Sequence, residues 1–256
     1  MTTFGTTLKH WRAERRMSQL DLGLSANVSA RHISFLETGR ARPSRAMVLQ
    51  LCEELAVPRP TRNQMLTAAG LAPAYAKRDL AEDDMTPVRE AVDWLMARHD
   101  PYPAIAMDRR WIIQRLNRSA TTLLAGMGIG PGISLLETFA ENEAVRAAID
   151  NLDEVLAHTI ARLRTEIAHL GGDARLEASL AKLSALAAPV PTTEGLRPAF
   201  IPTRYRFGDR IFSFFSTFSQ FGGAEDIALS ELKIEMMFPA DDATRDALKA
   251  LGAAGG

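Results

Sequence analysis

The stretch Gln19 to Leu55, QLDLGLSANVSARHISFLETGRARPSRAMVLQLCEEL, constrains the fold more than any other part of the chain. Ser18 stands before its first apolar-periodic segment, where a hydroxyl can accept a free backbone N–H at a helix start. Leu22 and Ala26 recur at i, i+4 and share one face of a short helix. Asn27 ends that helix, because Asn tolerates the left-handed backbone of a sharp turn. Ser29 is placed to cap a second helix, whose Ile33 and Leu36 return to the same core. Ala30, Arg31, Ser34 and Phe35 are left facing outward, with His32 towards the edge of that face. Two helices about a tight turn, the second with a free outer face, have the geometry of a helix-turn-helix whose second helix enters the major groove.

The charge distribution agrees with a polyanionic partner. The whole chain carries a net charge of -1, but residues 1–70 hold ten Lys and Arg against five Asp and Glu, giving +5 there and -6 in the remainder. Such asymmetry places the anionic partner at the N-terminal end. Solvation of a charged surface accounts poorly for Arg40, Arg42 and Arg45 clustering directly after the second helix.

From about Leu8 to Leu55 the sequence resembles the phage-repressor-type (Xre-like) helix-turn-helix regulators. The resemblance rests on Gln19 at the start of the first helix of the pair, Val28-Ser29 before the second, Glu37-Thr38-Gly39 at its end and Arg42-Pro43-Ser44 before the next. It implies double-stranded DNA as partner, bound at a pseudo-palindromic operator by a homodimer. Ala30, Arg31 and Phe35 would reach base edges, Arg31 through guanine and the other two through thymine methyl groups. Gln19, Ser29, Arg40, Arg42 and Arg45 would sit on phosphates. Arg12 and Glu37 match a partly buried structural ion pair. Gly23 stands where the family holds a close-contact Ala, and Asn27 where it holds a turn Gly; both substitutes suit their backbone.

The chain in order gives two domains joined by a linker. Thr7–Arg16, the two helices above, Ser44–Leu55 (with Val48, Leu51, Cys52 and Leu55 inward) and Thr61–Ala69 form an all-α, five-helix domain over 1–70. Gly70 is a C′ residue for the last helix. Residues 71–86, LAPAYAKRDLAEDDMT, are acidic and weakly periodic and read as a linker. The second domain covers 87–256. Pro87 suits the first turn of a helix reaching His99. AIAMD and WIIQRLN form a β-hairpin about Asp108-Arg109-Arg110. Asn117 caps a short helix to Gly126, GMGIGPG is a turn, and a long helix runs from about Glu143 to Leu170. Ala174–Leu186 is a further helix, and Ala187–Pro198 a Pro-containing loop.

AFIPTRYRF, RIFSFFSTFSQF and DIALSELKIEMMF are β-rich runs joined by Gly208-Asp209 and Gly222-Gly223, both hairpin signals. Asp241–Leu251 is a closing helix. Phe212, Phe214 and Phe218 share one face of the middle run, and Phe215 and Phe221 the other, which places it inside a covered sheet. The layout is an α+β, PAS-like domain with an antiparallel sheet of about five strands and helices on one face.

HDPYPAIAMDRRWIIQRLN, FFSTFSQFG and LSELKIEMMFPAD (His99–Asn117, Phe214–Gly222 and Leu229–Asp241) resemble the MmyB-like ligand-binding domain of bacterial regulators. That resemblance implies a transcription factor whose PAS-type pocket takes a small, largely apolar molecule, with a fatty-acid-like ligand as one precedent. Met107, Trp111, Ile113, Phe214, Phe218 and Leu232 are the candidate ligand-facing side chains.

Other chemistries find no support. Gly126–Gly132 follows a helix and lacks a closing Lys-Ser/Thr, so it is no phosphate loop. His99, His158 and His169 lack metal-ligand spacing, and the single Cys52 reads as a small buried hydrophobe. No cofactor and no enzymatic activity is expected, since no nucleophile–base set stands out. No apolar run approaches the roughly 18 residues of a membrane span, and no secretory signal opens the chain, so the expected location is the cytoplasm. The competing reading gives the second domain only a dimerising or recruiting role. An open apolar cavity of roughly 300 Å³ or more favours sensing over it.

Overall fold

The computed structural model describes residues 3–188 and 200–254. The fold separates into two compact units, the first built chiefly from the chain up to Lys77 and the second from Arg78 onward.

The first unit holds five helices: α1 (Phe4–Glu14), α2 (Gln19–Ser25), α3 (Ala30–Glu37), α4 (Arg45–Glu54) and α5 (Arg59–Ala68). Thr3 and Thr6 form a capping box, so α1 starts at Phe4, earlier than the periodicity suggests, and buries that Phe. Ser18 caps α2 in a second box with Asp21, and Ser29 and Ser44 cap α3 and α4. Asn27 takes the left-handed backbone at φ 50°. Leu8, Trp11, Leu22, Ala26, Ile33, Leu36, Val48, Leu51 and Cys52 make one core. Burial pushes the Cys52 thiol up to about 12, leaving it un-ionised at neutral pH. Two glycines allow backbones to meet. A Cβ on Gly23 would lie 2.5 Å from the Val28 carbonyl oxygen, and one on Gly5 2.4 Å from that of Glu37. The first part of the expected linker is ordered onto α5: Asn63 Oδ1 accepts from the backbone N–H of Ala74 (2.8 Å) and of Tyr75 (3.1 Å).

The second unit opens with a short 3-10 turn, Asp83–Met85, and α6 (Thr86–His99). Its sheet has five antiparallel strands in the order β2-β1-β5-β4-β3. They are β1 (Ala104–Met107), β2 (Ile113–Leu116), β3 (Thr203–Phe207), β4 (Arg210–Gln220) and β5 (Lys233–Pro239). Between the hairpin and β3 lie α7 (Arg118–Ala125), α8 (Leu135–Glu141), α9 (Glu143–Ala147), α10 (Leu152–Leu170) and α11 (Ala174–Leu186). A short α12 (Ile227–Glu231) precedes β5, and α13 (Asp242–Ala254) follows it.

Three expectations need correction. The single helix over Glu143–Leu170 is broken into α9 and α10. The intervening segment instead pairs with the edge strand β3: Asp150 N–H donates to Arg204 O (2.8 Å), and Arg206 N–H to Ala148 O (2.7 Å). The edge is thereby covered. The first half of DIALSELKIEMMF is helical, because Leu229 and Leu232 at i, i+3 both meet the α6 face. Helices cover both faces of the sheet, where one was expected. Val92 and Met96 of α6 pack on Ala104, Ala106 and Ile234, while the opposite parity of β1 and β5 faces α7–α10. The loop expected over Ala187–Pro198 lies almost wholly outside the described residues. Among the described residues no helix is long and apolar enough to cross a membrane.

Candidate functional site

The outer face of α3 is where the first unit presents functional groups. Ser29 accepts from the His32 N–H at 3.2 Å, which fixes the N-terminal end of the helix. Arg31 is exposed and lies over the Phe35 ring, 5.3 Å from its centroid. That stacking restrains a long cation on the open face. Ala30, His32 and Ser34 are partly exposed around it, and Arg40 and Arg42 are exposed on the following loop.

Behind that face sits the polar core of the unit. Arg12 binds Glu37 through both ends of its guanidinium, Nε to Oε1 at 2.6 Å and Nη2 to Oε2 at 3.0 Å. Gln19 Nε2 donates to the same Oε2 at 2.8 Å. Burial pushes the Glu37 carboxyl up, but the hydrogen bonds from Arg12 and Gln19 outweigh it and hold it below the usual carboxylate range. Gln19 is thus tied to the architecture as well as lying at the start of α2. Arg45 is exposed at the start of α4. Its Nη1 donates to Ala72 O at 2.6 Å and its Nη2 to Pro73 O at 3.3 Å, so its terminal nitrogens are engaged within the protein.

The second unit encloses a cavity of about 380 Å³ between the sheet and α7, α8 and α10. Ile105, Phe214 and Met237 form much of the sheet wall, and Leu123, Leu136 and Val155 face them from the helices. Of the expected ligand-facing residues, Trp111, Phe214 and Phe218 line it. Met107, Ile113 and Leu232 do not. Met107 is fully buried beyond the bulge that interrupts the β1–β2 register. Ile113 is tied by its backbone to Gly132 and Ile133, and Leu232 turns to the α6 face.

Sequence reasoning missed the charged end of this cavity. Arg162 of α10 and Glu235 of β5 both line it. Lys233 Nζ donates to Glu166 Oε2 at 2.9 Å, and Trp111 Nε1 donates to the same oxygen at 2.9 Å. Burial opposes ionisation of Glu166, but the Lys233 charge and these hydrogen bonds prevail and keep it ionised. Glu235 differs. Burial raises its carboxyl above the usual range, and a hydrogen bond from Ser216 with the Arg162 and Lys233 charges only partly offsets this. The signal was present in KIEMMF: Lys233 and Glu235 alternate, so both point to one face of a strand that is covered on either side.

A family model for the MmyB-like transcription regulator ligand binding domain matches residues 88–251, which include every wall of the cavity. The chain belongs to that family. A helix-turn-helix domain model matches residues 3–65, the five-helix unit. Together they make the MmyB-like protein a DNA-binding transcription regulator. No curated protein matches the chain.

Proposed function

We propose that this MmyB-like regulator binds a pseudo-palindromic operator as an Xre-type homodimer, and that a small, largely apolar, fatty-acid-like ligand in the second unit modulates the binding. The observation that carries the ligand half is the open cavity of about 380 Å³, walled mainly by aliphatic and aromatic side chains. It has the size and lining of a small-molecule site, where a domain serving only for dimerisation would have filled that space with its own Phe and Met side chains.

On the DNA side, α3 lies in the major groove with Arg31 donating to a guanine edge and Ala30 and Phe35 against thymine methyl groups. Ser34 and His32 flank them. Ser29, Gln19, Arg40 and Arg42 hold phosphates and set the register. Arg45 joins them, since it is exposed and keeps N–H donors beyond the two that hold the Ala72 and Pro73 carbonyls. One copy of α3 reads one half-site, so useful affinity depends on two copies spaced about 34 Å apart. The protein acts in the cytoplasm, where its DNA is.

Native mass spectrometry of the purified full-length chain tests the ligand reading. The expected spectrum is a dimer that sheds a lipid-sized mass on activation. A dimer that carries no added mass, and gains none on incubation with medium-chain fatty acids, contradicts sensing and leaves the second unit with dimerisation or recruitment.

A further inference from the structure

The inner face of α6 is committed to its own unit. Val92 and Met96 pack on the sheet, and His99 Nε2 lies 2.9 Å from the Met237 carbonyl oxygen. Two of its charges are engaged as well. Arg89 donates to the Leu80 carbonyl at 2.7 Å and to the Thr86 hydroxyl at 2.8 Å, and Asp93 pairs with Arg115 at 2.8 Å. The outer face is different. Trp94 stands at its centre, 62% exposed, more than any other Trp, Phe or Tyr among the described residues. Ala91 and Ala97, three residues to either side, are exposed, and so are Glu90 and Arg98, four residues to either side. Among the described residues neither Glu90 nor Arg98 forms a salt bridge, and Arg98 lies over the Trp94 ring, 5.7 Å from its centroid. Burying an indole of this size recovers hydrophobic free energy that its exposure forfeits, and Trp and Arg are among the residue types enriched where protein surfaces meet.

The order of residues says what covers this face. Counting outward from Trp94, both directions meet an exposed Ala, and then Glu90 at one end and Arg98 at the other. A face that repeats in size and inverts in charge about its centre is complementary to itself when turned end for end. Resting on the homodimer reading above, the geometry points to the outer face of α6 as the docking surface for α6 of a second copy, with the two helices antiparallel about a twofold axis at Trp94. Glu90 then stands level with the partner's Arg98, and Arg98 with the partner's Glu90. Ala91 and Ala97 leave room on each helix for the indole of the opposite copy. A parallel pairing would set Glu90 against Glu90 and Arg98 against Arg98, like charge on like. One pair of helices of this length makes an interface at the small end of the specific range, so the dimer dissociates on dilution.

The test is sedimentation velocity of the full-length chain over a concentration series, with the charge pattern rearranged. The wild-type chain should dimerise reversibly. Trp94→Ala, at an exposed position where substitution barely changes stability, should weaken dimerisation by about thirtyfold or more, as loss of a central interface anchor does. Glu90→Arg and Arg98→Glu each set like charges together twice per dimer, and each should weaken it by roughly tenfold. The double variant Glu90→Arg with Arg98→Glu restores opposite charges in the antiparallel arrangement and should dimerise like the wild type. An equimolar mixture of the two single variants should form a heterodimer for the same reason. Variants that all dimerise as well as the wild type overturn the α6 assignment and leave the homodimer reading standing. Single-variant defects that neither the double variant nor the mixture repairs overturn the antiparallel pairing. A wild-type chain that is monomeric at every concentration and binds operator as single copies, without cooperativity, overturns both the α6 face and the homodimer.

Discussion

Each unit of this regulator takes a glutamate into its interior, Glu37 buried and Glu235 partly so, and the two are treated in opposite ways. Glu37 in the helical unit receives Arg12 through two bonds and Gln19 through a third, and it is held ionised. Glu235 in the sheet unit faces a cavity and has no salt bridge among the described residues, and burial raises its carboxyl above the usual carboxylate range. The first arrangement leaves nothing unsatisfied and fixes α1, α2 and α3 against each other. The second leaves a carboxyl whose charge burial disfavours on the wall of an open space. A saturated polar cluster marks architecture, and an unsaturated one beside a cavity marks a place where something else completes it. The α3 face obeys the same rule: the cations proposed for DNA, Arg31, Arg40, Arg42 and Arg45, are exposed, whereas Arg12 is engaged within the protein.

The comparison breaks most visibly if Arg12 is removed. Arg12→Ala strands Glu37 and should cost on the order of 3–5 kcal/mol, the effect of leaving one buried ion unpaired. Calorimetry of the full-length chain should show a large fall in the melting temperature of the helical unit. A change of only a degree or two would mean that the pair is solvated and architecturally minor.

Arg31→Ala should cost about 1–3 kcal/mol at one base-pair position and relax the preference there. A binding-site selection that returns the wild-type profile removes Arg31 from base recognition, and its packing over Phe35 becomes its whole role.

The two glutamates should also differ in the sign of their linkage to pH. Glu37 has a lowered folded-state pKa, so its contribution is present above the unfolded carboxylate range and is lost as pH falls through the folded value. Glu235 has a raised folded-state pKa, so stability declines as pH rises from the unfolded value towards the folded one. Glu235→Gln should therefore stabilise the sheet unit at neutral pH, and Glu37→Gln should destabilise the helical one. Urea denaturation across that range checks both signs; two variants shifting the same way would erase the distinction.

The smallest expected effect belongs to the loop cations. Arg40→Ala or Arg42→Ala should weaken binding to all sequences alike and reduce the salt slope by about one unit per lost phosphate contact. A changed base preference at constant slope would put these residues in the groove instead.

The helical unit was almost wholly legible in the sequence because its signals are local. Ser18, Ser29 and Ser44 each cap a helix within three residues, and Asn27 turns the chain at its own φ. The sheet unit was legible in its strands and hairpins but less so in its cavity. The break at Asp150 and Asn151 depends on pairing with Arg204, Arg206 and Pro202, more than fifty residues away. Leu232 reads as a strand residue in the sequence, but with Leu229 it packs against Val92 and Met96 of α6. Arg162 gave no signal at all, since one Arg on an amphipathic helix reads as solvated, and only tertiary packing sets it against Phe218.

The central claim is that the cavity and the DNA face are coupled. A ligand shifts DNA affinity only by its differential affinity for the two arrangements of the protein, typically about 1–3 kcal/mol, and operator DNA must then change ligand affinity by the same factor. The direct measurement is a reciprocal titration of the full-length chain: decanoate with and without operator, then operator with and without decanoate. The account predicts that both pairs of isotherms separate, by equal factors. Decanoate binding with both pairs coincident would contradict it, and would leave the second unit as a scaffold that holds a lipid without reporting it.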